Sequence, residues 1–141
     1  GAVTRLIDMG IEPFLISSGV IGILAQRLVR VLCAKCKEEY QPSDEFYKKM
    51  GLNKDNKIPL YRPKGCLLCR HTGYKGRLGI FELMTLDENL KKLITERRTT
   101  SEIKEAAKKG GMKTLQQDGY DKVIKGITTL EEVLRVTYTE E

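Results

Sequence analysis

Apolar positions recur at helical spacing at both ends of the chain and lose that order between them. Residues 2–9 set Val3, Leu6, Ile7 and Met9 among Arg5 and Asp8, with Gly10 following, which predicts a short amphipathic helix ending on glycine. Pro13 suits a first helical turn and predicts a second helix to about Ser18. The stretch "GVIGILAQRLVRVL", residues 19–32, is compatible with helix or strand. Its two glycines and the β-branched Val29 and Val31 favour a strand over about 23–31.

Residues 37–65 are polar and interrupted by Pro42, Pro59 and Pro63; within them "PSDEFYKKMG" predicts a short helix capped by Ser43 and ending at Gly51. "GRLGIFELM", residues 76–84, alternates Leu78, Ile80 and Leu83 imperfectly and predicts a second strand. Two such strands predict an antiparallel pair, with the segment between them as an excursion from a sheet edge. Helical punctuation then takes over. Asp87 caps a helix carrying Leu90, Leu93 and Ile94; Thr99 and Glu102 form a capping box ahead of Ile103, Ala106 and Ala107, stopped by Gly110-Gly111. A third helix runs from Leu115 to Lys125 and ends at Gly126; Thr128 with Glu131 opens a fourth, carrying Leu130, Val133 and Leu134. Four short helices in series predict a small bundle.

Composition narrows the classes. Forty percent apolar content supports a packed core, and absent tryptophan leaves little aromatic surface for stacking. No run reaches the roughly 18 apolar residues of a membrane-spanning helix. Arg5 and Asp8 occupy the place where a signal peptide would begin its apolar region, so the expected location is cytosolic. The opening "GAVTRLIDMG" has no initiator methionine and reads as the middle of a longer protein. Charge is uneven. Residues 30–77 carry twelve Lys or Arg against five Asp or Glu, or +7; removing these from totals of 25 and 19 leaves thirteen against fourteen, or −1. The cysteine segment therefore holds all the excess positive charge, either as a solvated face or for an acidic partner.

That segment also holds the candidate chemistry. Cys33 and Cys36 form one CxxC pair, Cys66 and Cys69 a second, and 29 residues separate them. Two tight turns, each aiming two sulfurs, suit one tetrahedral thiolate site. Thiolate formation calls for nearby cations, and Arg30, Lys35, Lys37, Lys64 and Arg70 are candidates. The competing readings are two disulfides, free thiols, a redox pair and an iron–sulfur cluster. A cytosolic setting disfavours disulfides, and a redox motif leaves the second pair unexplained. Paired knuckles at this distance favour zinc, in a structural role because four protein ligands leave no open position for water. Four thiolates on Zn²⁺ carry −2, leaving the segment at +5. Zinc would substitute for the core that a proline-broken, lysine-rich segment cannot build. Loss of Cys33 or Cys66 is then expected to unfold the insert and leave the C-terminal helices largely intact, while Lys35, Lys37 and Lys64 are the docking candidates. His71 is an alternative ligand, but with four cysteines present it reads as an exposed loop histidine.

Other motifs carry less. "GGMKT", residues 110–114, has Met112 where a phosphate loop needs glycine, and no G-x-x-x-x-G-K-[ST] occurs in the chain. "TGYKGRLG", residues 72–79, offers Lys75 and Arg77 to a phosphate, yet reads better as the turn leaving a knuckle for a strand. One histidine supports no Ser/His/Asp arrangement. No catalytic and no cofactor-binding residue is assigned.

The strings "GAVTRLIDMGIEPFLISS", "AQRLVRVLCAKC", "GCLLCRHTGYKGRLGIFELM" and "TLEEVLRVT" together resemble the C-terminal part of the secretion ATPases, the hexameric motors of type II secretion and type IV pilus assembly. The resemblance covers nearly the whole chain. It implies an α/β fold, mostly α here: the end of a RecA-like P-loop NTPase domain (residues 1–31 and a return strand, 77–86), a tetracysteine zinc insert (32–76) and a C-terminal helical subdomain (87–141). It implies that Cys33, Cys36, Cys66 and Cys69 hold zinc, and that ATP and Mg²⁺ bind to segments preceding Gly1. It further implies a homo-hexamer on the cytoplasmic face of the inner membrane, working on pilins or pseudopilins through an integral-membrane platform protein. Retraction motors of the superfamily lack the insert, which points to the assembly or secretion branch. A basic zinc module for nucleic acid is the alternative from a different class; Glu38, Glu39, Asp44 and Glu45 break its basic run.

Overall fold

The computed structural model describes residues 1–52 and 58–138. The expected insert and the C-terminal segment therefore each include a few positions outside the described residues. In chain order the elements are α1 (Ala2–Asp8), α2 (Pro13–Gly19), β1 (Gly22–Leu32), β2 (Glu38–Tyr40), α3 (Asp44–Lys49), β3 (Leu60–Arg62), β4 (Tyr74–Thr85), α4 (Glu88–Thr95), α5 (Thr100–Lys109), α6 (Leu115–Ile124) and α7 (Leu130–Thr137). The fold is mixed α/β, with two small sheets. No described helix is long and apolar enough to cross a membrane.

The ambiguous stretch resolves as strand. β1 pairs with β4, and the bonds Leu86 N–H to Ile21 O (3.0 Å) and Cys33 N–H to Gly73 O (2.9 Å) run the two strands antiparallel. The excursion between them builds its own antiparallel pair, β2 with β3, in the register Glu38↔Arg62, Glu39↔Tyr61 and Tyr40↔Leu60.

Contacts divide the chain into two compact units. The first holds Gly1–Ala25 and Phe81–Thr114; the second holds Gln26–Ile80 and Leu115–Tyr138. In the first, Val3, Ile16, Leu86, Leu90, Ile94, Ile103 and Ala107 form one buried cluster. Asp87 Oδ1 accepts the Leu90 N–H at 2.8 Å, and Thr99 caps α5 by accepting from the Glu102 N–H at 3.1 Å, both as the sequence predicts. Ser17, which breaks the apolar run on paper, is buried here and donates to the Lys91 carbonyl at 3.0 Å.

The second unit buries Val29, Leu32, Tyr47, Leu60, Ile80, Leu115, Val123, Leu130 and Val133. Helices α6 and α7 meet where Gly119 faces Val133, so closely that a Cβ on Gly119 would lie 2.5 Å from Val133 Cγ1. Where four helices in series are predicted to bundle, α4 and α5 fall in the first unit and α6 and α7 in the second. The apolar faces of α4 and α5 belong to the cluster that includes Val3 and Ile16, whereas α6 and α7 share a unit with the cysteine segment.

Two caps also differ from expectation. Ser43 stands at the N-cap of α3 without a side-chain bond to it. At α7 the cap is Thr129, whose hydroxyl accepts from the Glu132 N–H at 3.2 Å, one residue beyond the predicted Thr128–Glu131 pair. Thr128 is committed elsewhere: its hydroxyl donates to the Arg30 carbonyl at 2.7 Å.

A candidate metal centre of four thiols

Each CxxC leaves or enters a strand at a tight turn. Cys33 directly follows β1, and the Lys37 N–H closes the first knuckle by donating to the Cys33 carbonyl at 3.0 Å. In the second, the His71 N–H donates to the Cys66 carbonyl at 2.8 Å, and the chain turns through left-handed Arg70 and His71 before Gly73 delivers it to β4. The two knuckles place all four Sγ atoms within 4.8 Å of one another. Cys33 and Cys66 sulfurs are 3.8 Å apart, Cys36 and Cys69 3.8 Å, and Cys66 and Cys69 3.7 Å. A disulfide requires about 2.05 Å, so these are not bonded pairs. A zinc–sulfur bond of about 2.3 Å in a tetrahedron gives edges of about 3.8 Å, which matches these spacings. The donor set and its geometry therefore fit one metal ion held by Cys33, Cys36, Cys66 and Cys69.

Backbone N–H groups surround the sulfurs. Gly65 N–H donates to Cys36 Sγ at 3.3 Å, and Cys66 and Gly73 N–H donate to Cys69 Sγ at 3.2 Å each. Burial pushes the Cys69 thiol up, yet the Cys66 and Gly73 N–H groups outweigh it and bring it down to about 6. Burial likewise raises Cys33, but N–H groups of Cys36 and Lys35 carry it below the ordinary thiol value. Burial drives Cys36 up to about 11, and its hydrogen bonds with Cys33, Cys69 and Cys66 add to the rise. A cation held at the centre would make four thiolates compatible.

N–H donors, rather than the cationic side chains named from the sequence, lower Cys33 and Cys69. Arg30 is turned to Glu132, Lys64 lies 3.4 Å from Glu38, and the half-buried Lys37 donates to the Gly126 carbonyl at 2.9 Å. Lys35 and Arg70 are exposed. His71 is exposed and outside the sulfur cluster, as read from the sequence. Gly110 and Gly111 end α5, and Gly73 supplies the turn into β4, so neither glycine motif forms a phosphate loop. The second knuckle has little apolar support: its Leu67 and Leu68 are 86% and 51% exposed.

Gly73 has two separate reasons to be glycine. Its φ is +82°, and a Cβ there would lie 2.2 Å from Pro63 Cβ. Gly73→Ala is expected to shift the N–H that serves Cys69 and weaken metal retention by roughly tenfold or more, measured by competition with a chromogenic chelator.

Four clustered thiols on two knuckles, carried by a mixed α/β chain, define a protein with a candidate metal site. Similarity to known proteins specifies the family. A model described as type II/IV secretion system protein matches residues 1–135, and the chain belongs to this family. It is 46% identical over 140 residues to type II secretion system protein E of Pseudomonas aeruginosa, covering 99% of this chain and 28% of that protein. It is 50% identical over 137 residues to type II secretion system ATPase E of Vibrio cholerae, covering 97% and 27%. It is 48% identical over 138 residues to type IV pilus assembly ATPase PilB of Thermus thermophilus, covering 96% and 16%. The chain therefore spans under a third of the length of each of these relatives.

Proposed function

We propose that the chain is the C-terminal part of a cytoplasmic ATPase that powers type II secretion or type IV pilus assembly, and that its four cysteines hold one structural zinc. The observation that carries the zinc assignment is the cluster of four sulfurs within 4.8 Å, with edges near those of a tetrahedral zinc–thiolate site. Zinc fills all its positions with protein sulfur, so it shapes the knuckles and takes no part in turnover. Family membership and the relatives named as ATPases support the motor reading.

On this reading residues 1–31 and 77–86 close a RecA-like domain, 32–76 are the zinc insert and 87–141 the C-terminal helical part. The phosphate loop, ATP and Mg²⁺ belong to segments of the longer protein, since no G-x-x-x-x-G-K-[ST] occurs among these 141 residues. The whole protein would act as a homo-hexamer peripheral to the inner membrane, engaging a platform protein of the secretion or pilus machinery. Of the lysines considered for docking, Lys37 is engaged internally, which leaves exposed Lys35 as the stronger candidate. The nucleic-acid alternative is weakened in the same way: Arg30, Lys37, Arg62 and Lys64 all have partners within the chain.

The test is direct. The 141-residue chain is expected to bind neither ATP nor a fluorescent ATP analogue and to show no hydrolysis above buffer, whereas the longer protein hydrolyses ATP. Turnover by the 141-residue chain would overturn the assignment of the catalytic machinery to other segments. A salt-dependent mobility shift with duplex or single-stranded DNA would favour the alternative.

A further inference from the structure

The residues flanking the first knuckle are stapled to one short turn far along the chain. Before the knuckle, the Arg30 carbonyl accepts from Thr128 Oγ1 at 2.7 Å, and the Leu32 N–H donates to the Ile127 carbonyl at 2.8 Å. After it, Lys37 Nζ donates to the Gly126 carbonyl at 2.9 Å. Residues 126–128 join α6 to α7, so consecutive positions of that connection are gripped from both sides of Cys33–Cys36.

Lys37 is the unusual member of this set. Its backbone N–H closes the knuckle on Cys33, while its ammonium leaves the knuckle and lies 4.6 Å from the centre of the Tyr61 ring on β3. Gly126 makes room for this arrangement. Its φ is +76°, and a Cβ there would fall 2.9 Å from Tyr61 Cδ2 and 3.5 Å from Lys37 Nζ. A flexible lysine held at both ends, with a ring beneath it and a glycine opposite, responds to the geometry of the knuckle that anchors its backbone. Pulling Cys33 and Cys36 onto a common ion with Cys66 and Cys69 fixes that geometry.

We propose that Lys37 is a positioning residue through which metal occupancy of the four-thiol site sets the order of the α6–α7 pair. This rests on the metal reading of the site and goes beyond it: the metal would act on helices that contribute no ligand. The bonds from Leu32 and Thr128 hold the connection to β1 whether or not metal is bound, because β1 is ordered by its pairing with β4. Lys37, attached to the knuckle itself, adds the part that depends on metal.

Amide hydrogen exchange on the 141-residue chain, zinc-loaded and chelator-stripped, tests this, with cobalt substitution reporting metal binding independently through its thiolate absorption. Stripping is expected to lower protection in α6 and α7 by roughly tenfold or more and to change α4 and α5 little. Lys37→Met keeps the side chain's length and loses its charge and donor. It is expected to bind cobalt with the wild-type spectrum yet show low α6–α7 protection even when zinc-loaded. Lys37→Arg, which still places a donor and a cation over Tyr61, is expected to restore most of the protection. Intact α6–α7 protection in zinc-loaded Lys37→Met, or equal protection with and without metal in the wild type, overturns the proposal and leaves the metal site standing. Failure of the wild-type chain to bind cobalt overturns both.

Discussion

Replacing Cys33 or Cys66 by serine is expected to abolish stoichiometric metal binding, to unfold the insert and to loosen α6 and α7. The knuckles have little else to hold them. Leu67 and Leu68 are exposed, and the buried sulfurs of Cys33 and Cys69 occupy the place of an apolar core. A serine hydroxyl is a poor zinc ligand at neutral pH, and a three-sulfur remnant would bind far less tightly. From the sequence alone the loss is expected to stop at the insert. The structure extends it, because α6 and α7 share a unit with the cysteines and are tied to the first knuckle by the Lys37–Gly126 bond. Circular dichroism with hydrogen exchange should show loss of α3 and lowered protection in α6 and α7, with the cluster of Val3, Ile16, Leu90, Ile94 and Ile103 preserved. Loss of the insert alone would restore the sequence expectation, and one cooperative loss of every helix would deny that the units are separable.

The second large effect is expected at Glu132, whose side chain is 3% exposed. One carboxylate oxygen accepts from the Arg30 backbone N–H at 2.8 Å and from Arg135 Nη2 at 3.0 Å; the other accepts from Arg30 Nη2 at 2.9 Å and Arg135 Nε at 3.1 Å. Arg30 in turn stacks 4.2 Å from the centre of the Tyr74 ring. Burial by itself would raise the Glu132 pKa, but the two guanidiniums and the Arg30 N–H overcome it and hold the group at about 2, against an ordinary 4.5. A carboxylate with a lowered folded-state pKa stabilises the fold above its unfolded value. That contribution is lost as pH falls through the window from about 4.5 to about 2. Glu132→Gln keeps the shape and removes the charge. It is expected to lower stability near pH 7 by about 2–3 kcal/mol, below the usual range for breaking a buried pair because both arginines are half exposed. Urea unfolding at several pH values should find the gap between wild type and variant closing toward the bottom of that window. A gap that stays constant with pH would show that the carboxylate's charge is not what stabilises α7.

The metal centre is legible in the sequence because its information is local. Two residues between cysteines set each turn, and the repeat of that spacing points to the one cluster in which the four sulfurs meet. Strands β1 and β4 are legible for a related reason: Val29 and Val31 express a local preference that pairing with β4 reinforces. What the sequence conceals depends on partners far apart along the chain. The Lys37–Gly126 bond spans 89 residues and the Arg30–Glu132 pair 102, so on paper Lys37 and Arg30 look like members of a basic surface. The α7 cap lies one residue from its expected place because adjacent threonines offer the same hydroxyl, and distant partners, the Arg30 carbonyl for Thr128 and the Tyr74 hydroxyl for Thr129, set which of them caps. The division of the four helices between two units is hidden because amphipathic faces announce that they will be buried without naming what will cover them.

The zinc proposal for the four-thiol site, and the role given to Lys37 with it, turn on which ion the four cysteines bind and how. Zinc analysis of the purified chain, together with X-ray absorption at the zinc edge, measures both. The expected result is one zinc per chain with four sulfur neighbours at about 2.3 Å and no nitrogen or oxygen ligand. Metal-free protein with paired sulfurs at bonding distance, or an iron–sulfur spectrum in place of zinc, would contradict it.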